Sequence, residues 1–521
     1  MKQILNALFF VQKYKNIQPE GRNLSRVSKK LSYITLIAIA LLTAVGCEKD
    51  FLDEVPTEDV ASESATATTD NLFLVVNGIH RSLYIRFGSQ GRSGIGAMMI
   101  QNDVLGEDFV MTARANGWFI SAYQWLDHTN ANDGDLLFPY RAHYQIIRNA
   151  NTVINGAEAA VGPTDQRNAA VGQSLVYRAW SHFQLVQLYG GRYVAGTNNT
   201  QLGVPIRLTP DNDPLARSTV EEVYAQVHAD LDQAITLLEG YERPNKSHLN
   251  KYVALGLKAR VYLVQGEYAL AADFASQARE GFSLMSFDDY FNNFSNFESS
   301  EWMWGSHIQE DQTDFFGNFG AYVSVNFSSS NIRGNPKAIS SKLHATIPTS
   351  DVRSQLFDPT GQHNNLPPGV SRLSSFQKKP FTNQKFIAVS NGDSRMDVPY
   401  MRVSEMYLIE AEARAKMNQS GLAAQVLFEM ASVRDPEYTL STNTGQALID
   451  EIMLQRRWEL WGEGFRFYDL KRLNLPLDRT GANHDATLAG VLTVPAGDSR
   501  WNWLIPQSAL DSNPLLVQNP L

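Results

Sequence analysis

The only cysteine of this 521-residue chain, Cys47, limits how the chain can be held together. A single thiol forms no internal disulfide, so the fold depends on the burial of apolar side chains. The composition allows this, because 43% of the residues are hydrophobic and 11% are aromatic. A chain of this length buries enough surface to do without cross-links. We therefore expect one large domain or two of ordinary size.

Cys47 also ends a pattern that is typical of bacterial export signals. A basic stretch precedes the apolar run 31–46, which closes on small residues directly before the cysteine. Basic, apolar and small residues in this order form a secretory signal. The junction resembles a lipobox, although Ala44 stands where leucine is usual. The sequence thus predicts a signal peptide over residues 1–46 and lipidation of Cys47.

A membrane-spanning helix is the alternative for the same segment. A span needs about 20 apolar residues, whereas the run 31–46 is shorter and contains Ser32 and Thr43. Residues 1–25 form an extension that is atypical of signal peptides, and one hypothesis places the true start at Val27. The pattern favours an exported protein that is held on a membrane through its lipid.

Beyond Cys47 the composition predicts a tether followed by one domain. Residues 47–70 are polar, small and acidic at their start, which is typical of a linker. Residues 71–521 form the predicted domain, with a helical scaffold at about 136–282 and 400–472. The intervening segment 283–400 is rich in Asn, Ser, Gly and Pro and keeps no helical period. We expect irregular structure with minor strands there.

The scaffold carries signals of paired helices. Ser218 and Glu221 have the spacing of a capping box, which predicts the start of a helix. Small and aromatic residues in two segments match the tetratricopeptide pattern, in which small side chains let paired helices approach closely. They are Ala259, Tyr262, Gly266, Tyr268, Ala271 and Ala278 in the first segment, and Ala413, Ala424 and Ala431 in the second.

Several of these segments together resemble the RagB/SusD family. The order and spacing fit from the lipobox to the end of the chain. One departure is Gln455, where the family commonly has Glu. The segments that carry the resemblance are 175–191, 203–206, 216–224, 258–263, 402–413, 455–460, 463–466, 469–472 and 503–506.

The resemblance implies a mostly α fold, in which tetratricopeptide-type helix pairs pack against an irregular, loop-rich half with minor short strands. It implies a non-catalytic lipoprotein of Bacteroidetes, exposed at the surface of the outer membrane. Such a protein acts as the lid of a SusC-type TonB-dependent transporter and binds a nutrient, usually a glycan and sometimes a peptide. It implies no cofactor.

The distribution of charges does not favour nucleic-acid binding or a catalytic site. The net charge is −9 and no dense basic stripe exists to neutralise phosphates. In the run 455–472, Arg456 with Glu459 and Glu463 with Arg466 have the spacing of helix-surface ion pairs, which favours a structural role. The histidines lack metal-ligand spacing and 211–213 predicts a turn, so we expect no metal site.

Candidate ligand-binding residues come from aromatics outside the helical pattern. Sugar rings lie flat against aromatic rings while short polar side chains bind the hydroxyls. Segments 114–135 and 309–327 combine both kinds of side chain, and Trp118 is favoured because it follows a loop-like Asn-Gly pair. Core packing is the alternative for each aromatic, and Trp302 and Trp304 are assigned to a structural strand. The predicted site residues are Asn116, Trp118, Tyr123, Trp125, Phe316, Phe319 and Tyr322.

Three functions remain open from the residues alone. The favoured one is a non-catalytic binding protein for a glycan, with a peptide-binding lid as its variant. A surface glycoside hydrolase would need two carboxylates at a fixed separation, which sequence does not reveal. A purely structural tetratricopeptide protein would present apolar grooves in place of exposed tryptophan beside Asn and Asp.

Overall fold

The structure, a computed structural model, describes residues 64–521. The predicted signal peptide 1–46, the lipidation site Cys47 and most of the predicted tether lie outside the described residues and stay predictions. A helix begins at Thr69, within the last residues assigned to the tether. Across 64–521, none of the helices combines the length and apolar character needed to cross a bilayer.

Helices dominate the described residues. The helices are α1 Thr69–Ser82, α2 Gly94–Val104, α3 Ile120–Tyr123, α4 Gly134–Gly156, α5 Thr164–Tyr189, α6 Val220–Leu237, α7 Lys251–Gln265, α8 Tyr268–Ala278, α9 Phe287–Asn292, α10 Phe319–Val323, α11 Ser330–Gly334, α12 Ser341–His344, α13 Val403–Lys416, α14 Ser420–Arg434, α15 Gly445–Glu459, α16 Arg466–Arg472, α17 Ala486–Ala489 and α18 Gln507–Ser512. The strands are β1 Phe109–Val110, β2 Trp302–Ser306, β3 Ala338–Ile339, β4 Phe357–Asp358, β5 Thr382–Asn383, β6 Val398–Arg402, β7 Leu477–Asp478 and β8 Thr493–Val494.

The long helices pack in sequence as a stack. Helix α4 packs on α5 and α5 on α6, while α7 packs on α8, α8 on α13 and α13 on α14. The small residues of the repeat pattern allow this, since Ala259, Ala271 and Ala413 are all fully buried. Gly266 ends α7 in the left-handed conformation at φ 78°, which turns the chain into α8. The helix pairs predicted for these segments therefore occur.

The start of α6 lies one residue later than the sequence predicted. The capping box is formed by Thr219 and Glu222, not by Ser218 and Glu221. Ser218 is committed elsewhere, because its N–H donates to the carbonyl of Val204 at 3.2 Å and its carbonyl accepts from a neighbouring residue. The first intrahelical bond is donated by Val223 N–H to the carbonyl of Thr219 at 3.1 Å, so the cap lies at Thr219.

The segment between α8 and α13 is irregular, with short strands. Strand β2 pairs antiparallel with β6, and Trp302 and Trp304 on β2 are fully buried. Their assignment to a structural strand is confirmed. The two-residue strands β1, β3, β5 and β4 form a small sheet in that order. This half of the molecule thus depends on side-chain packing more than on extended backbone pairing.

A buried charge network joins the irregular half to the helices. Arg402 Nη1 donates to Glu459 Oε1 at 2.8 Å, and Arg434 Nη2 donates to Glu301 Oε2 at 2.7 Å. Positive and negative side chains are equal in number, so their charges cancel. The network consists of the cations Arg353, Lys385, Arg402 and Arg434 and the carboxylates of Glu301, Asp351, Glu459 and Glu463.

The ion pairs within the run 455–472 differ from those that the sequence predicted. Arg456 pairs with Asp469 at 2.8 Å, and Arg466 pairs with Glu107. Glu459 is completely buried, so its partners come from other elements and not from the next turn of its own helix. Gln455 accepts from Arg353 Nη2 at 2.6 Å, so a neutral amide satisfies this donor. The role is structural, as predicted, but the pairings predicted were wrong.

Candidate ligand-binding surface

Trp118 differs from every other tryptophan of the chain. The chain has nine tryptophans, all within the described residues, and eight of them are at most 6% exposed. Trp118 alone is partly exposed. Large aromatic side chains are normally buried, so an indole left at the surface needs a reason. This makes Trp118 the starting point for a candidate site.

The backbone around Trp118 adopts an unusual conformation. Ala115, Gly117 and Phe119 have φ values of 42°, 89° and 63°, all in the left-handed region. Glycine tolerates this conformation, but for alanine and above all for phenylalanine it is unfavourable. Strained backbone of this kind is concentrated at functional sites. The strain sets the direction in which the Trp118 side chain leaves the loop.

Two contacts then hold the indole of Trp118. Its ring meets the ring of Tyr322 edge to face, with centroids 5.7 Å apart. On another side it lies against Gly91, where an added Cβ would stand 3.3 Å from the indole Cδ1. The hydroxyl of Tyr322 in turn donates to the carbonyl of Gln90. Trp118 is therefore in contact with two segments that are distant from it in sequence, one containing Gly91 and the other Tyr322.

Sequence reasoning missed the turn formed by residues 86–93. Its closure comes from Arg92 N–H, which donates to the carbonyl of Ser89 at 3.1 Å. Arg86 pairs with Asp314 at 2.8 Å, which ties the turn to the segment 312–318. A signal was present, because two glycines in a short polar stretch predict a turn. The sequence does not show that this turn contacts Trp118.

Phe316 marks a second exposed aromatic position. Phe315 and Phe316 are 50% and 41% exposed, and their rings meet edge to face at 4.7 Å. Both pack on the buried ring of Phe327. Within their loop, Asp314 Oδ1 accepts from the N–H of Phe316 at 3.1 Å and from that of Gly317 at 3.0 Å. These rings are available to a ligand.

Four of the predicted site residues are buried. Tyr123, Trp125, Phe319 and Tyr322 are at most 2% exposed, so their ring faces are covered by protein. Trp125 donates from Nε1 to the carbonyl of Leu105 at 3.0 Å, and Phe319 packs on Phe386 with centroids 5.3 Å apart. As direct ligand contacts these four predictions conflict with the structure. Tyr322 acts as a support for Trp118, while the other three belong to the core.

The polar groups beside Trp118 are suited to hydrogen bonding. Asn116 is exposed, and its Oδ1 accepts from the N–H of Trp118 at 3.4 Å while its amide faces solvent. Asp314 is neutralised by Arg86 and saturated by backbone N–H groups. Burial raises the pKa of Tyr322, which keeps its phenol a neutral donor to Gln90. The surface therefore offers an aromatic ring and hydrogen-bonding groups.

Two concavities lie apart from this surface. An open groove of about 930 Å³ runs along α4, where Tyr144 and Arg207 face Asn513. An internal cavity of about 80 Å³ lies beside the charged side chains of Arg260 and Glu405. Neither includes Trp118 or Phe316. A ligand at Trp118 would lie on an exposed surface, which suits an extended chain better than a compact molecule.

Two family models match the chain over most of its length. One, described as starch-binding and associating with the outer membrane, matches residues 50–263. The other, described as the SusD family, matches residues 290–521. The first segment overlaps the predicted tether, the second includes most of the irregular half, and helix α8 lies in the gap between them. The match covers the Trp118 loop as well as the buried charge network.

Individual relatives are similar along nearly their whole length. The chain is 24% identical to SusD-like protein P2 of Formosa agariphila, over 94% of this chain and 97% of that protein. A solved SusD superfamily protein of Bacteroides thetaiotaomicron is 28% identical, covering 87% of this chain and all of that one, with a TM-score of 0.72. A SusD-like carbohydrate-binding protein of Bacteroides vulgatus is 24% identical over 86% and 97% of the two chains, with a TM-score of 0.74. These structures confirm the predicted fold class.

Proposed function

Because this chain belongs to the SusD/RagB family, we propose that it is a non-catalytic outer-membrane lipoprotein that binds a glycan at the surface around Trp118. The observation that carries the site is the single partly exposed tryptophan, held by strained backbone and by the ring of Tyr322. A fixed ring loses little freedom on binding, which favours stacking against a sugar. Asn116 would then bind a hydroxyl group. We expect affinity in the range of about micromolar to millimolar.

The transporter partner and the anchor extend this proposal. The family description, association with the outer membrane, supports a surface lipoprotein held through Cys47. A lipidated cysteine carries more than one acyl chain, which gives stable anchoring. In this setting the chain would act as the lid of a SusC-type transporter and present its ligand for uptake. A peptide ligand in place of a glycan is the variant of this proposal.

A binding role fits the surface better than glycoside hydrolysis does. A retaining glycosidase needs two carboxyl groups about 5–5.5 Å apart, of which one stays free to attack or to donate a proton. The carboxylate of Asp314, which lies on the segment that Arg86 ties to the turn 86–93, is engaged by Arg86 and by backbone N–H groups. A carboxylate with these partners is stabilised as an ion and is not free for chemistry.

The test is affinity electrophoresis and calorimetry of the chain from residue 48 onward against polysaccharides and peptides. We expect Trp118→Ala to abolish binding to the polysaccharide that the wild type binds, and Trp118→Phe to retain part of it. Ligand binding should also change the tryptophan fluorescence of the wild type, since Trp118 is the one tryptophan near the surface. Full binding by Trp118→Ala would place the site elsewhere, with Phe316→Ala as the next variant. Release of reducing ends would contradict the non-catalytic role.

A further inference from the structure

Three carboxylates meet where the chain enters α4. Asp127 begins a short 3-10 turn, and Asp133 caps α4 by accepting from the N–H of Asp135 at 2.7 Å. The connecting loop is closed by Asp133 N–H, which donates to the carbonyl of Asn130 at 2.9 Å. As a result, carboxylate oxygens of Asp127, Asp133 and Asp135 all lie within 4.8 Å of one another. We refer to these three residues as the Asp127 cluster.

Asp127 is buried without a full set of partners. It is 2% exposed, and its Oδ1 has no hydrogen-bond partner within the described residues. Ser121 contributes a hydrogen bond to the same carboxyl group but leaves Oδ1 unpaired. A buried carboxylate oxygen without a partner is costly.

Neighbouring cations do not balance the Asp127 cluster. Arg92 pairs with Asp135 through Oδ1 of the carboxylate. One guanidinium therefore faces three carboxylates, in contrast to the balanced charges of the buried network. With all three carboxyl groups ionised, the deficit is two positive charges.

We propose that Asp127, Asp133 and Asp135 bind a divalent cation, and that this cation is Ca²⁺. All the donors are oxygens, which hard cations prefer, and no sulfur or imidazole ligand belongs to the cluster. Calcium binds oxygens at about 2.3–2.6 Å, so ligands on opposite sides of one ion stand about 4.8 Å apart. Backbone carbonyls and water complete the coordination. The proposal departs from the expectation from sequence that the chain has no metal site.

The Asp127 cluster is connected to the Trp118 surface. Arg92, its one cationic partner, belongs to the same turn as Gln90 and Gly91, which support Tyr322 and Trp118. Gly134 permits this arrangement, because a Cβ there would stand 2.4 Å from the Arg92 guanidinium. A bound cation would therefore hold the start of α4 and the turn together. The inference itself does not depend on what binds at Trp118.

The test uses the metal itself on the mature chain after treatment with a chelator. We expect calorimetry to give about one Ca²⁺ per chain, with a Kd between about 10⁻⁶ and 10⁻³ M. Terbium should bind at the same site, and calcium should displace its luminescence. Thermal unfolding should shift upward by about 2–4 °C at an excess of calcium.

The variant Asp127→Asn/Asp133→Asn removes two charges and keeps the shapes, and asparagine remains a good N-cap. We expect it to lose at least tenfold in calcium affinity and most of the thermal shift. The matched control is Asp211→Asn/Asp213→Asn, in an exposed acidic turn that Arg207 holds, and it should behave as the wild type does. The proposal is overturned if wild type binds no calcium, or if the double variant binds as tightly. Greater stability of the variant in chelator, with no response of the wild type to calcium, would mean that a proton balances Asp127.

Discussion

The buried charge network and the Trp118 loop differ in burial and in how well their groups are satisfied. In the network, every carboxylate has cationic partners and every side chain is covered, as with Arg402 and Glu459. In the loop, the backbone is strained at Ala115 and Phe119 and an indole is left partly exposed. A dense run of charge thus marks structure here, while strain and incomplete burial mark the candidate site. If so, changes in the network should cost stability and changes in the loop should cost binding.

Removal of Arg402 should have the largest effect on stability. Arg402→Ala leaves Glu459 and Glu463 buried with one partner fewer, and breaking such a pair costs about 3–5 kcal/mol. The measurement is the free energy of unfolding in urea. The control Arg500→Ala breaks an exposed pair with Asp498 and should cost less than about 1 kcal/mol. Equal losses in the two variants would contradict the distinction.

The second-largest loss of unfolding free energy is expected at low pH. Although burial opposes it, Arg456 and Arg472 lower the pKa of Asp469 to about 2. A lowered pKa stabilises the fold above the unfolded value of about 3.9, and this stability is lost as pH falls from about 4 to 2. The contribution is up to about 2.6 kcal/mol.

The variant Asp469→Asn should therefore show a flatter decline in unfolding free energy between about pH 5 and pH 2 than the wild type. Asp450→Asn changes an exposed carboxylate that accepts from Gln446 and should leave the wild-type decline intact. The same slope for Asp469→Asn and the wild type would show that Asp469 does not stabilise the fold through its charge.

Trp118→Ala should separate binding from stability. The indole makes one ring contact, with Tyr322, so its loss should cost about 1 kcal/mol of unfolding free energy. Loss of ligand binding should be at least about tenfold, which corresponds to about 1.4 kcal/mol. Parallel melts and binding titrations provide both values. A loss of stability as large as that of Arg402→Ala would assign Trp118 to the core.

The smallest effect is expected from relief of backbone strain. Ala115→Gly should raise the unfolding free energy by about 0.5 kcal/mol, because glycine accepts φ 42° while alanine resists it. Ala447→Gly, on the exposed side of α15, should lower it by about 0.8–1 kcal/mol. Opposite signs in these two substitutions would demonstrate the strain, and a loss in both would argue against it.

Local signals in the sequence predicted much of the fold. The helix pairs with Ala259 and Ala413 follow from periodicity and small residues, which act within one or two turns. The capping box was misplaced by one residue because Ser218 pairs with the distant Val204. Trp118 was found because an Asn-Gly pair precedes it, which is again a local signal.

Contacts between residues of distant segments could not be predicted from such local signals. Trp118 and Trp125 lie seven positions apart in one aromatic stretch, yet Trp125 is buried against Trp501 from the C-terminal segment. No local pattern distinguishes the two. In the same way, the approach of Asp127 to Asp133 and Asp135 depends on the turn that leads into α4. The proposed metal site was not predicted, because spacing along the chain does not give distances between carboxylates.

The sequence by itself determined the paired helices, the irregular half, the family and one surface tryptophan, since each has a short-range or cumulative signature. Only the tertiary structure decided which aromatics are covered, which charges neutralise one another and which carboxylate is left without a partner. Burial and charge balance are properties of the surroundings of a side chain. In this protein those surroundings come from segments more than a hundred residues away, as Glu301 and Arg434 show.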